Sequence, residues 1–72
     1  MTTTEIKNVL EMSMHERRKV AINYKDGESH FGWIAEPNDT LNTTIVLMID
    51  GVMPHTVDVS EIASVELTNE YF

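Results

Sequence analysis

Val20-Ala21-Ile22-Asn23-Tyr24-Lys25-Asp26-Gly27-Glu28-Ser29-His30-Phe31-Gly32-Trp33-Ile34 carries the pattern of a β-hairpin. Val20, Ile22 and Tyr24 alternate with Lys19, Ala21, Asn23 and Lys25, which is the period of a half-buried strand. Asp26-Gly27 suits a tight hairpin, because Asp tolerates the left-handed region and Gly has no Cβ to clash there. The second strand is read from Ser29 to Glu36, with Gly32 in its middle. A glycine inside a strand gives up side-chain packing, and it does so where the strand bends or a neighbouring backbone comes close. A strongly bent β-hairpin is therefore expected.

Ahead of the hairpin, Thr2-x-x-Glu5 fits a capping box, so a helix is expected over about residues 4–16. Ile6, Val9, Leu10 and Met14 recur at spacings of three and four, with Ser13 on the same face, and this stripe should point at a sheet. Glu5 near the start and Arg17 with Arg18 near the end suit the helix dipole. On the other side of the hairpin, Pro37-Asn38-Asp39 ends the second strand and a polar loop runs to Asn42. Thr44 to Ile49 reads as a nearly all-apolar strand, covered on both faces or meeting the helix with its outward side. Asp50-Gly51 is a second turn, Met53 to Val59 a strand with Val57 and Val59 inward, Ser60-Glu61 a tight turn, and Ala63 to Leu67 a short closing strand. The sheet should span about residues 18–67, with a loose tail over 68–72.

The fold class that follows is α+β: an N-terminal helix, then a five-stranded, strongly bent antiparallel sheet. The order of elements fits a small SH3-like or Sm-like barrel better than a flat meander.

The 72 residues suffice for one domain, and a chain of that size buries only roughly 60% of the surface it exposes when unfolded, which disfavours a deep substrate pocket. Twelve acidic residues against five basic ones give a formal charge of −7. That balance disfavours general affinity for nucleic acid or anionic lipid and favours a basic protein partner. Cysteine is absent, so neither disulfides nor thiolate metal sites contribute. No basic segment followed by an apolar run opens the sequence, and Ile45 to Ile49 is too short to span a bilayer. A soluble, cytoplasmic protein is expected.

Taken in line, Glu5-Ile6-Lys7-Asn8-Val9-Leu10, then Val20 through Gly27, then Gly32-Trp33-Ile34, and finally Val57-Asp58-Val59-Ser60-Glu61-Ile62-Ala63-Ser64-Val65 resemble the YolD-like family, over about Glu5 to Leu67. The resemblance implies a small Sm-like or SH3-like barrel from Gram-positive bacteria or their mobile elements, bacteriophages included. By gene context such proteins are linked to DNA-damage responses and error-prone polymerases, which implies an accessory or regulatory role without catalysis. Asp26-Gly27, Gly32-x-Ile34 and Asp39-x-x-Asn42 also resemble the Sm and Hfq pattern, which would imply RNA binding. Val57-Asp58-Val59-Ser60 stands where those families carry an Arg-Gly or Lys-His motif around an RNA base, so direct nucleic-acid binding is not expected.

No catalytic, cofactor-binding or metal-ligating signature is read. His15, His30 and His55 lack ligand spacing and read as surface histidines; His55-x-x-Asp58 imitates a base and its orienter without a nucleophile. Arg17-Arg18-Lys19 holds three of the five cations and is either a solvated helix end or a grip on phosphate. Phe31 and Trp33 share one face of their strand, and either the helix covers them or they anchor a partner or a second subunit. Asp26, Glu28, Glu36, Asp39, Asp50, Asp58, Glu61, Glu66 and Glu70 either keep the protein soluble or imitate a nucleic-acid backbone toward a host nuclease or polymerase. The partner-binding candidates are Phe31, Trp33, Arg17, Arg18, Asp26 and Glu28. Tyr71-Phe72 is a further docking candidate if it is not loose.

Overall fold

A computed structural model of the chain describes residues 1–34, 44–49 and 53–72. The expected turns at Pro37-Asn38-Asp39 and Asp50-Gly51, the loop to Asn42, the end of the second strand at Glu36 and the Asp39-x-x-Asn42 pattern lie outside the described residues.

The helix, α1, runs Thr3–Glu16. Its start is the expected capping box: the Glu5 amide donates to Thr2 Oγ1 at 3.1 Å and the Thr2 amide donates to Glu5 Oε1 at 2.9 Å. This arrangement holds the Glu5 carboxyl below its ordinary range, chiefly through the hydrogen bond from the Thr2 backbone and then through the Thr2 side chain. The other end closes on Arg17, a non-glycine residue in the left-handed region at φ 56°, whose N–H returns to the Ser13 carbonyl. Ile6, Leu10 and Ser13 form the buried face. Ser13 is satisfied there because its hydroxyl donates to the Arg18 carbonyl at 2.6 Å.

Five strands follow: β1 Arg18–Tyr24, β2 Ser29–Ile34, β3 Thr44–Ile49, β4 Met53–Asp58 and β5 Ile62–Tyr71, with a 3-10 turn, Val59–Glu61, between the last two. They form one antiparallel sheet in the order β4-β3-β2-β1-β5. The architecture is thus the expected α+β arrangement, with an open sheet whose edges are β4 and β5. The sheet nevertheless curls. The rings of His30 on β2 and His55 on β4 lie 5.2 Å apart although β3 stands between their strands.

Gly32 explains part of that curl. It pairs with Val20 on one side and Ile49 on the other, and a Cβ there would fall on the Met48 carbonyl oxygen and lie 2.9 Å from the Met48 carbonyl carbon. Only hydrogen fits between the two backbones. The inner face carries the core: Val20 and Ile22 from β1, Ile34 from β2, Ile45 and Leu47 from β3, Val57 from β4, Val59 from the 3-10 turn, and Ile62 and Val65 from β5, closed by Ile6 and Leu10 of α1.

Two boundaries differ from the sequence reading. Val59 belongs to the 3-10 turn, not to the fourth strand, because Asp58 caps it, accepting from the Ser60 amide and so diverting the chain. The segment expected to be a loose tail is instead the outer half of β5: Tyr71 pairs with Arg18, and the Phe72 amide donates to the Arg17 carbonyl at 3.0 Å. Long-range contacts decide this. Thr68 Oγ1 donates to the Lys19 carbonyl at 2.8 Å, and Arg18 Nε donates to the Thr68 carbonyl at 2.8 Å.

Candidate interaction surfaces

Because Val20, Ile22, Gly32 and Ile34 point inward, strand alternation puts Lys19 and Ala21 of β1 and Phe31 and Trp33 of β2 on the outer face. The helix does not cover these aromatics, since Ile6 and Leu10 join the core on the inner side. Phe31 and Trp33 remain half-buried. What lies on Trp33 is Phe72, stacked at 4.7 Å between centroids and 21° between planes.

All three cations of the Arg17-Arg18-Lys19 run sit over rings. The Arg17 guanidinium is 5.1 Å from the centre of Phe72, that of Arg18 is 5.8 Å from Tyr71, and the Lys19 ammonium is 5.8 Å from Phe31. Each such contact is worth about 0.5–1 kcal/mol at an exposed site. Arg18 is the structural member of the three. Its guanidinium bonds to Glu16 at 3.0 Å, to Asn69 Oδ1 at 3.1 Å and to the Thr68 carbonyl, which ties β5 to the end of the helix. Arg17 Nε donates to the Phe72 carbonyl at 3.3 Å, so this cation too is held at the end of β5, and the exposed Glu16 stands beside the three cations.

At the hairpin end of β1 lies a different surface. A cleft of about 150 Å³ is lined by Tyr24, Asp26, Glu28, His30, His55, Thr56, Val57, Asp58 and Glu61. The Tyr24 hydroxyl and His30 Nδ1 are 3.0 Å apart, and the rings of Tyr24 and His30, and of His30 and His55, meet edge to face. Burial raises the Tyr24 hydroxyl above its ordinary pKa, and the nearby Asp26 and Glu61 carboxylates push it in the same direction. Asp26 accepts from the Glu28 amide and Asp58 from the Ser60 amide and hydroxyl, whereas Glu28 and Glu61 form no ion pair among the described residues. Asp58 is engaged with Ser60, so the His55–Asp58 base-and-orienter pattern is not assembled here. Among the described residues no cluster of three or more His, Cys, Asp or Glu fits a metal ion, and no helix is long and apolar enough to cross a membrane.

The six partner-binding candidates therefore separate. Arg17, Arg18, Phe31 and Trp33 come together at one end, joined by Lys19 and Phe72. Asp26 and Glu28 stand at the other, joined by the His30–His55 pair. That pairing had no signal in local spacing, because β2 and β4 are joined only through the curl of the sheet. Parity offered a partial clue: His30 is in phase with the inward Ile34 and His55 with the inward Val57, so both continue the inner face beyond the core.

Comparisons with models of protein families and with curated proteins find no match to this chain.

Proposed function

We propose that this chain is a non-enzymatic protein-interaction module, an accessory or regulatory protein that docks a partner protein on the outer face of β1 and β2. The observation that carries the reading is the aromatic cluster of Phe31, Trp33 and Phe72, left uncovered by the helix and flanked by Arg17 and Lys19. Aromatic residues and arginine dominate the binding energy of protein interfaces, because rigid rings bury large area at small entropic cost and guanidinium groups stack on them. This role agrees with that of the YolD-like accessory proteins the sequence resembles. The test compares partners captured from a bacterial lysate by the wild type and by a Phe31→Ala/Trp33→Ala variant shown by circular dichroism to be folded. Capture that is indifferent to the two rings would remove the outer face from the function.

A second reading has its own support in the hairpin-end cleft, where Asp26, Glu28, Asp58 and Glu61 gather around one concavity. In that reading the protein is an acidic inhibitor, occupying the basic groove of a host nuclease or polymerase in place of nucleic acid. Such binding weakens steeply with salt. Affinity for a basic host protein that stays constant across ionic strength would rule it out.

A further inference from the structure

Phe72 is held against Trp33 by contacts that any aromatic residue on an extended segment could make. Its ring stacks on Trp33 at 4.7 Å and lies 5.1 Å from the Arg17 guanidinium. Its amide donates to the Arg17 carbonyl at 3.0 Å, and its own carbonyl accepts from Arg17 Nε at 3.3 Å. Arg17 thus grips both backbone groups of Phe72 while Trp33 takes the ring. The left-handed cap of α1, at φ 56°, is what sets Arg17 in this place between helix and β1.

The segment that delivers Phe72 is fastened apart from the rest of the sheet. Val20 pairs with Leu67 and Arg18 with Tyr71, so Lys19 alone stands against Thr68, Asn69 and Glu70. Across that irregularity the Thr68 hydroxyl takes the place of the ladder, donating to the Lys19 carbonyl at 2.8 Å and accepting from the Glu70 amide at 3.2 Å. A bulge of this kind interrupts pairing and re-aims the strand beyond it. Among the described residues none past Leu67 packs on the core, and Asn69, Glu70 and Tyr71 are exposed. A segment with so few buried contacts opens without unfolding the domain.

We propose that Arg17 and Trp33 form a seat for an aromatic side chain carried on an extended segment of a partner protein, and that Phe72 is a tethered lid on that seat. The lid lifts when residues 68–72 swing out at the bulge. The inference rests on reading the outer face of β1 and β2 as a docking surface, and it adds which side chain enters and what keeps it out. Recognition is by ring and backbone, as when an extended segment is added beside a strand. Charge does not select the occupant, since Arg18 beside the seat is paired with Glu16. While the lid is closed, affinity for an incoming ring is reduced to the fraction of molecules that are open.

The experiment is two-dimensional NMR on the isotope-labelled full chain with N-acetyl-phenylalaninamide as the probe, added over the millimolar range. This neutral molecule carries the ring, N–H and C=O that Phe72 presents, and N-acetyl-alaninamide is its ringless control. Trp33 is the single tryptophan, so one indole signal reports on the seat. The chains are the wild type, Phe72→Ala and Phe72→Ala/Arg17→Gly, each shown by circular dichroism to be folded. Glycine suits the left-handed backbone at Arg17, so the last variant keeps the cap and loses only the guanidinium.

The phenylalanine probe should bind Phe72→Ala saturably, shifting the Trp33 indole, and should bind the wild type about tenfold more weakly or worse. Removing the Arg17 side chain should weaken binding to the emptied seat about tenfold, through the lost ring contact and hydrogen bond. In the wild type the Phe72 amide should exchange with deuterium about a hundredfold or more faster than that of Ile22 in the middle of β1. An unmoved indole in Phe72→Ala, an equal response to the alanine compound, or equal binding by variant and wild type would each overturn the proposal. So would a Phe72 amide as slow as that of Ile22, a measurement that needs no variant to fold. Lysate capture that needs Phe31 and Trp33 but is lost in Phe72→Ala would make Phe72 a fixed anchor, overturning the lid while leaving the docking face intact. Capture indifferent to Phe31 and Trp33 would instead remove the docking face, and the seat with it.

Discussion

Replacing Gly32 with alanine should cost about 3 kcal/mol or more, and the estimate follows from what the added methyl group meets. All its nearest neighbours are backbone atoms: the Met48 carbonyl oxygen, the Met48 carbonyl carbon at 2.9 Å and Ile49 Cα at 3.2 Å. A side chain can rotate away from such a clash, but a strand has to retreat. Overpacking alone costs about 1–3 kcal/mol. The described β2–β3 register is short, Gly32↔Ile49, Trp33↔Met48 and Ile34↔Leu47, so prying it open at Gly32 also threatens ladder bonds worth about 0.5–1.5 kcal/mol each. At about 0.05–0.15 kcal/mol per residue, a chain of 72 residues has only about 4–11 kcal/mol in total. The loss should lower Tm by about 12–24 °C, since a domain of this size shifts about 4–8 °C per kcal/mol. Urea and thermal unfolding followed by circular dichroism give both numbers. Gly27→Ala is the control: Gly27 has φ +94° but nothing within 4 Å of a Cβ, so its cost is the conformational term alone, about 1–2 kcal/mol. If Gly32→Ala loses no more than Gly27→Ala, the two backbones are not as close as described and the account of the curl fails.

Three further outcomes are expected. Phe72→Ala should shift the emission of Trp33, the single tryptophan, to the red and destabilise the fold by about 0.5–1.5 kcal/mol, the worth of one aromatic pair; unchanged fluorescence would mean that the stack is not populated. The Glu5 carboxyl has a lowered pKa in the fold, so its contribution is present above the ordinary value of 4.5 and lost as pH falls through the lowered one. Glu5→Gln should flatten the stability profile on that acidic side, and parallel profiles for variant and wild type would deny the capping box its electrostatic part. Tyr24 behaves in the opposite sense: its hydroxyl is raised above 10.0, so the stability it brings is complete below that pH and declines as pH climbs through the raised value. Ultraviolet difference titration should show one tyrosine ionising late, and Tyr24→Phe should abolish that late step.

The helix, the hairpin and the inward positions are legible in the amino-acid order, because each rests on interactions among residues near in the chain. The Thr2–Glu5 reciprocal cap, the alternation of Val20 and Ile22, the Asp26-Gly27 turn and the insertion of Gly32 are all local, and the helix, hairpin and inward residues appear where they were expected. How the faces are used depends on packing between elements distant in the chain. Phe31 and Trp33 could be placed together by parity, but whether the helix covered them depended on which side of the sheet Ile6 and Leu10 packed. The fate of the last residues depended on Arg18, Lys19 and Trp33, some 40 to 50 positions earlier in the chain, which bond or stack with Thr68, Asn69 and Phe72. The meeting of His30 with His55, and the gathering of Asp26, Glu28, Asp58 and Glu61 around one cleft, exist only once the sheet has curled. Local pattern sets which way a side chain points along its own strand. What it then faces is set by strand order and curvature, which arise from pairings that no short window of sequence contains.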